Sequence, residues 1–129
     1  MFTFDQIKEA HSKVKSGADF PAYIRELVQL GVTGYNTYVA DGHTEYFGKG
    51  NYSIVTSPRY ELLTIADKSN TPILKNELKE HQQGKTGYPE FCKMSAETGV
   101  KKWSVDTQKM TCTYYDMYGN EIFSELIPE

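Results

Sequence analysis

The sequence predicts an α+β fold in which antiparallel meanders pack on helices, and three observations carry that reading. Two stretches with helical periodicity open each half of the chain, and three short strand patterns follow each pair. Asp41-Gly42 is a strong hairpin signal. Glycines stand where the second helix of each pair should stop, at Gly31 and Gly99.

The first helix begins at Thr3. That residue can cap it, with Gln6 as the capping-box partner and Phe2 and Ile7 as a hydrophobic staple. Ile7, Ala10, His11 and Val14 share one stripe, and Gly17 is expected to end it. Pro21 suits the first turn of a second helix, whose apolar stripe is Phe20, Tyr23, Ile24 and Leu27. Strands are expected over 32–39, 43–47 and 52–56, separated by Asp41-Gly42 and Lys49-Gly50-Asn51. Pro58 closes this round, and an extended connection with a short strand at 62–65 is expected over 59–67.

The pattern then repeats. Thr71-Pro72 starts a helix carrying Leu74, Leu78 and His81, with Gly84 at its end. Tyr88-Pro89 starts another, with Phe91, Cys92, Ser95 and Ala96 on one side. Strands follow at 100–106, 110–115 and 121–127. The two rounds align at an offset of 68, setting Phe20-Pro21 on Tyr88-Pro89, Gly31-Val32 on Gly99-Val100, Tyr35 on Trp103 and Tyr46-Phe47 on Tyr114-Tyr115. Only eight of 61 overlapping positions are identical, so the order of caps, turns and stripes carries the case. The chain therefore reads as one domain, 1–129, built from repeat units 3–58 and 71–127. At 129 residues, one shared core is expected rather than two free halves, because very small domains bury too little surface.

A two-residue turn at Asp41-Gly42 would pair Ala40 with His43, Tyr38 with Glu45 and Asn36 with Phe47. Alternation then divides the sheet into two faces. Tyr35, Thr37, Val39, Thr44 and Tyr46, with Trp103, Val105, Met110, Cys112 and Tyr114, form the more apolar set and should lie under the helices. Asn36, Tyr38, His43, Glu45 and Phe47, with Ser104, Asp106, Thr111, Thr113 and Tyr115, should face outward.

Composition narrows the functions. The formal charge is −3 and the only arginines are Arg25 and Arg59, so no concentrated phosphate-binding surface is visible and no nucleic-acid partner is expected. No apolar run reaches membrane-spanning length and the start lacks a signal-peptide pattern, which leads us to expect a cytoplasmic protein. Cys92 and Cys112 are expected to be reduced, buried packing thiols. No metal site or cofactor is expected. Walker and dinucleotide spacings, GxSxG and HExxH are all missing, and His43 with Glu45 on one strand would be too few ligands.

The most site-like residues lie on the first hairpin. His43 and Glu45, with Tyr38 opposite, could serve acid–base chemistry on a small polar substrate. The same residues also suit an ordinary solvated sheet face. His11 and His81 read as half-buried core histidines. Arg59, on a loop, could hold an anion. Asn36, Phe47 and Tyr115 are further candidates for binding, as polar and aromatic groups on an open sheet face. Two readings follow. One is a non-catalytic binding or interaction protein, with homodimerisation through the open face or an edge strand among its partners. The other is a small enzyme.

Several segments together carry a resemblance: His81-Gln82-Gln83-Gly84-Lys85-Thr86-Gly87-Tyr88, Phe91-Cys92-Lys93, Gly99-Val100-Lys101-Lys102-Trp103, Met110 through Asp116, and Asp41-Gly42-His43-Thr44 with Tyr46-Phe47-Gly48. Over nearly its whole length the chain resembles the YbcV-like bacterial family of unknown function, whose members are often labelled phage envelope protein. The resemblance implies a small bacterial or prophage-associated protein. It supplies no activity, cofactor or site residue.

Overall fold

The computed structural model describes residues 2–15 and 17–128. Four helices cover one face of a six-stranded antiparallel sheet. In chain order the elements are α1 (Phe4–Ser12), a 3-10 turn (Gly17–Asp19), α2 (Phe20–Leu30), β1 (Gly34–Tyr38), β2 (Thr44–Phe47), β3 (Ser53–Val55), α3 (Thr71–Gln82), α4 (Tyr88–Glu97), β4 (Lys102–Asp106), β5 (Thr111–Tyr115) and β6 (Glu121–Leu126).

The capping box at Thr3 and Gln6 is formed on both sides, and Phe2 and Ile7 beside it are buried. α1 stops at Ser12 rather than Gly17, leaving Val14 beyond its end. Gly17 has a different role. A Cβ there would lie 2.5 Å from His81 Cδ2 and 2.6 Å from the His81 carbonyl oxygen, so glycine lets the 3-10 turn rest directly on α3. α2 ends on Gly31 in the left-handed conformation, with φ 99°. α3 is capped by Asn70, whose side chain accepts from Ile73 N, one position before the expected start. Gly99, at φ 85°, closes α4 where the incoming connection passes. A Cβ would meet Ser69 Cα at 2.7 Å, and Asn70 N donates to the Thr98 carbonyl at 2.9 Å.

Strands from both halves of the chain enter one sheet, in the order β3-β2-β1-β4-β5-β6. β1 and β4 join them antiparallel, with Asn36 opposite Ser104, two residues related by the offset of 68. Ser104 Oγ donates to Asn36 Oδ1 across that centre. The hairpins on either side share one register. Gly34 faces Phe47 in the first, and Lys102 faces Tyr115 in the second. The outer pairs differ by one residue, because a bulge between Tyr114 and Tyr115 shifts β6.

The first hairpin departs from the expected two-residue turn. Asn36 faces Glu45, and Tyr38 N donates to the His43 carbonyl at 2.9 Å, so four residues form the turn. Tertiary bonds account for this. Val39 N donates to Lys101 O at 2.9 Å, Leu63 N to Ala40 O at 2.7 Å, and Arg59 N to Asp41 O at 2.8 Å. The groups that would close a tighter hairpin are thus bonded to β4's leading segment and to the connection after β3. The register differs by two residues, one full pleat, so no side chain changes face. That connection has no regular secondary structure, bends at 60–61 and 67–68, and forms no strand at 62–65.

Tyr35, Thr37, Val39, Thr44 and Tyr46 are buried beneath the helices, as are Trp103, Val105, Cys112 and Tyr114. Met110, of the expected inward set, is only half-buried, in a turn with φ 54°. Ile24, Leu27, Leu74, Val39 and Val100 are fully enclosed, each contributing roughly 1.5–3 kcal/mol by its removal from water. Cys92 and Cys112 are free and buried. Among the described residues, no helix is long and apolar enough to cross a membrane.

Candidate functional site

A narrow cleft with an open mouth lies between the two helix pairs and the inner face of the sheet. α1 packs on α2, α3 on α4, and the 3-10 turn bridges to α3. Inward residues of β1, β2, β4 and β5 make its floor: Tyr35, Thr37, Thr44, Tyr46, Trp103, Cys112 and Tyr114. Tyr23, from α2, and Tyr88 and Phe91, from α4, supply the wall. The rings pack against one another, with Tyr35 and Tyr46 centroids 5.3 Å apart and Phe91 and Trp103 5.2 Å apart. Tyr23 and Tyr46 join their hydroxyls at 2.9 Å. Burial raises the pKa of both phenols, so they remain neutral donors and acceptors.

The two ends of the cleft differ in charge. Arg59 stands at one end, beside His11. Its Nη1 lies 3.4 Å from His11 Nδ1. Since guanidinium can only donate, Nδ1 is the unprotonated nitrogen of that ring. Burial, helped by the Arg59 charge, brings the His11 pKa down to about 4, so the imidazole is neutral. It packs edge-on against Tyr23 and Tyr88 at 5.4 and 5.2 Å. The described ion pairs are Lys13–Glu26 and His43–Asp41, and Arg59 belongs to neither.

Glu125, on β6, stands at the other end. It faces Cys112 across the strands and so shares the inner face. Gln82 Nε2 donates to its two oxygens at 3.1 and 3.3 Å, and Tyr114 Oη donates at 3.3 Å. Burial raises its pKa, although these donors oppose the rise. His81 completes this end. Its Nδ1 donates to Thr86 at 3.0–3.1 Å and its ring stacks on Phe91 at 4.3 Å. Burial lowers its pKa, which again favours the neutral ring. Among the described residues, no group of three or more His, Cys, Asp or Glu is placed to hold a metal ion.

Residues 8–126 match a family described as "Protein of unknown function (DUF1398)". The chain belongs to DUF1398. No curated protein matches this DUF1398 chain.

Of the residues singled out from sequence, Arg59 lines the cleft, and so do His11 and His81, which had read as ordinary core histidines. The others lie on the opposite face of the sheet. His43 stacks on Tyr38, with centroids 4.5 Å apart and rings 7° from parallel. Its carboxylate partner is Asp41, at 2.5 Å, and Glu45 faces Asn36 instead. Partial burial pushes the Asp41 carboxyl up, but the His43 backbone and ring N–H groups hold it below its ordinary value. Lys102 lies over Tyr115 at 5.1 Å and Tyr38 at 6.0 Å. Phe47 is half-buried, opposite Gly34 and Ser53.

The cleft itself was not foreseen in this DUF1398 sequence. Its available signal was aromatic pairing at an offset of 68: Phe20 with Tyr88, Tyr23 with Phe91, Tyr35 with Trp103 and Tyr46 with Tyr114. All eight line the cleft. Large rings on both the sheet and the helices, at matched positions around one centre, leave a gap that smaller side chains would close.

Proposed function

We propose that this protein is a non-catalytic binding domain that holds a small molecule in the cleft between its helix pairs. The observation that carries this reading is the largely aromatic cleft in which Arg59, His11, His81, Gln82 and Glu125 are held by hydrogen bonds. Such cavities, mostly apolar with convergent polar groups, are the common form of small-molecule sites. The open sheet face is the weaker candidate, because Tyr38, Tyr115 and Lys102 there already satisfy one another. An acid–base role for His43 takes second place, since neither it nor Glu45 lines the cleft.

A thermal-shift screen of small metabolites tests the proposal, because a ligand that binds the folded state raises apparent stability. Trp103, the single tryptophan, is on the cleft floor and should change its emission with the same compounds. Val14→Trp, at a half-buried lining position, should obstruct the cleft and abolish both signals. Hits that survive Val14→Trp unchanged would place the ligand elsewhere and refute the assignment.

The proposal extends to origin and location. The domain is an internal duplication, a reading supported by the shared hairpin register and by the strand order symmetric about the β1–β4 pair. It works in the cytoplasm of a bacterium or prophage host. Recovery in the membrane or periplasmic fraction would contradict that location.

A further inference from the structure

We propose that the cleft selects a planar organic monoanion, an aromatic or conjugated carboxylate whose ring lies on the aromatic floor and whose carboxylate pairs with Arg59. This inference rests on the cleft being a small-molecule site and adds the chemistry of its ligand.

Charge decides the class. Arg59 is the one permanent cation among the lining residues, and Glu125 the one acid. Both imidazoles are neutral, so neither adds a positive charge. A single guanidinium suits one carboxylate, which it can grip with two parallel N–H groups. A nucleoside di- or triphosphate would bring several charges to one cation and face Glu125 at the far end. An amine would meet Arg59 at the mouth.

Arg59 is also prepared for the task. Its backbone is tied to the hairpin tip through Asp41 O, and the next residue is fixed by Tyr60 Oη donating to Val39 O at 2.6 Å. The guanidinium is exposed and its contact with His11 Nδ1 occupies one of five N–H donors. Behind it, Tyr23 and Tyr46 present a bonded pair of hydroxyls. Most of the remaining lining is aromatic. Tyr35, Trp103 and Phe91 are part of that aromatic lining, which suits a planar body better than an aliphatic chain.

The test uses Trp103 emission and the intact protein. Benzoate and indole-3-carboxylate are titrated beside benzamide, a neutral isostere of benzoate, and beside benzylamine and AMP. Benzoate should bind about tenfold or more tighter than benzamide, as expected for a charge-assisted pair. Arg59→Gln should erase that preference by weakening benzoate binding far more than benzamide binding, and Arg59→Lys should keep part of it. Arg59 is exposed, so these variants should fold, which their urea midpoints would verify. Equal binding of benzoate and benzamide, blocked by Val14→Trp, would overturn the carboxylate assignment and leave the cleft as a neutral-ligand site. Preference for benzylamine or AMP, or a benzoate preference that survives Arg59→Gln, would overturn it as well. If no probe of any charge binds, the cleft-binding proposal falls with it.

Discussion

A neutral His11 makes stability depend on pH in a defined window. The ordinary imidazole pKa is 6.5, and the fold lowers it to about 4. In the unfolded chain His11 takes a proton as pH falls through 6.5, while the folded chain refuses it until about pH 4. Stability attributable to His11 is therefore fully present above pH 6.5 and is lost between 6.5 and 4. From pH 7 to pH 5 the full shift would cost about 2 kcal/mol. The ring is only half-buried, so screening by solvent should reduce this to about 1 kcal/mol. The C-terminal turn of α1 favours an imidazolium there by roughly 0.3–1 kcal/mol, and burial prevails over it. His11→Asn keeps an acceptor near the Nδ1 position for Arg59 but cannot titrate. Urea denaturation followed by Trp103 emission, at pH 7 and pH 5, should show the wild type losing about 1 kcal/mol more than His11→Asn. His81 slopes the same way. Glu125, with its raised pKa, slopes oppositely by favouring the protonated fold as pH falls. Both are present in the two proteins and cancel in the difference. Equal pH slopes would refute a neutral, buried-side His11.

Other consequences are simpler to test. Trp103→Ala should cost about 3 kcal/mol in urea denaturation, the lower end for a large aromatic, because it enlarges a cleft that already exists. His43→Ala should cost about 1 kcal/mol, through loss of the Tyr38 stack and the Asp41 bond. A cost near zero would mean an untethered surface residue. Tyr23→Phe should cost about 1 kcal/mol, since it removes the buried hydrogen bond between the Tyr23 and Tyr46 hydroxyls. Burial raises the pKa of Cys92 and pushes Cys112 up to about 12, so a thiol reagent should modify neither in the native protein at pH 8. Rapid labelling of either would contradict that.

The fold was legible where local signals and tertiary demands agreed. Thr3 and Gln6 form their capping box, Gly31 and Gly99 end their helices, and alternation sorted the inward set with Met110 as its partial exception. The hairpin turn was misread because its backbone groups bond to residues 59, 63 and 101. Turn propensity at Asp41-Gly42 cannot anticipate partners so distant in sequence. The end of α1 was misread for a related reason. Gly17 looks like a helix stop, yet it is needed for contact with His81, some 60 residues away. Among the candidate site residues, polar groups on the hairpin drew attention because catalysis commonly uses such groups. The cleft is defined by large apolar rings, which sequence patterning assigns to the core without showing where the core fails to close.

Positions 68 apart in the two halves of the chain share aromatic rings but not polar groups. At the offset of 68 the cleft's aromatic residues fall on aromatic partners, Phe20 on Tyr88, Tyr23 on Phe91, Tyr35 on Trp103 and Tyr46 on Tyr114. Its polar groups do not. Arg59 corresponds to Ile127, Glu125 to Ser57, Gln82 to Val14, His11 to Lys79 and His81 to Lys13. Large rings around the centre come from both halves of the chain. Symmetric polar groups would have put the same charge at both ends, suiting a symmetric ligand or none. With a guanidinium beside a neutral imidazole at one end and a hydrogen-bonded carboxyl at the other, the cleft has a direction. A ligand that reads both ends must be asymmetric, with its anionic group toward Arg59 and a neutral or donor group toward Glu125. On that basis Glu125→Gln should leave the preference for benzoate over benzamide intact, whereas Arg59→Gln removes it. A loss of preference in both variants would mean that the two ends act as one electrostatic unit, and the directional reading would fail.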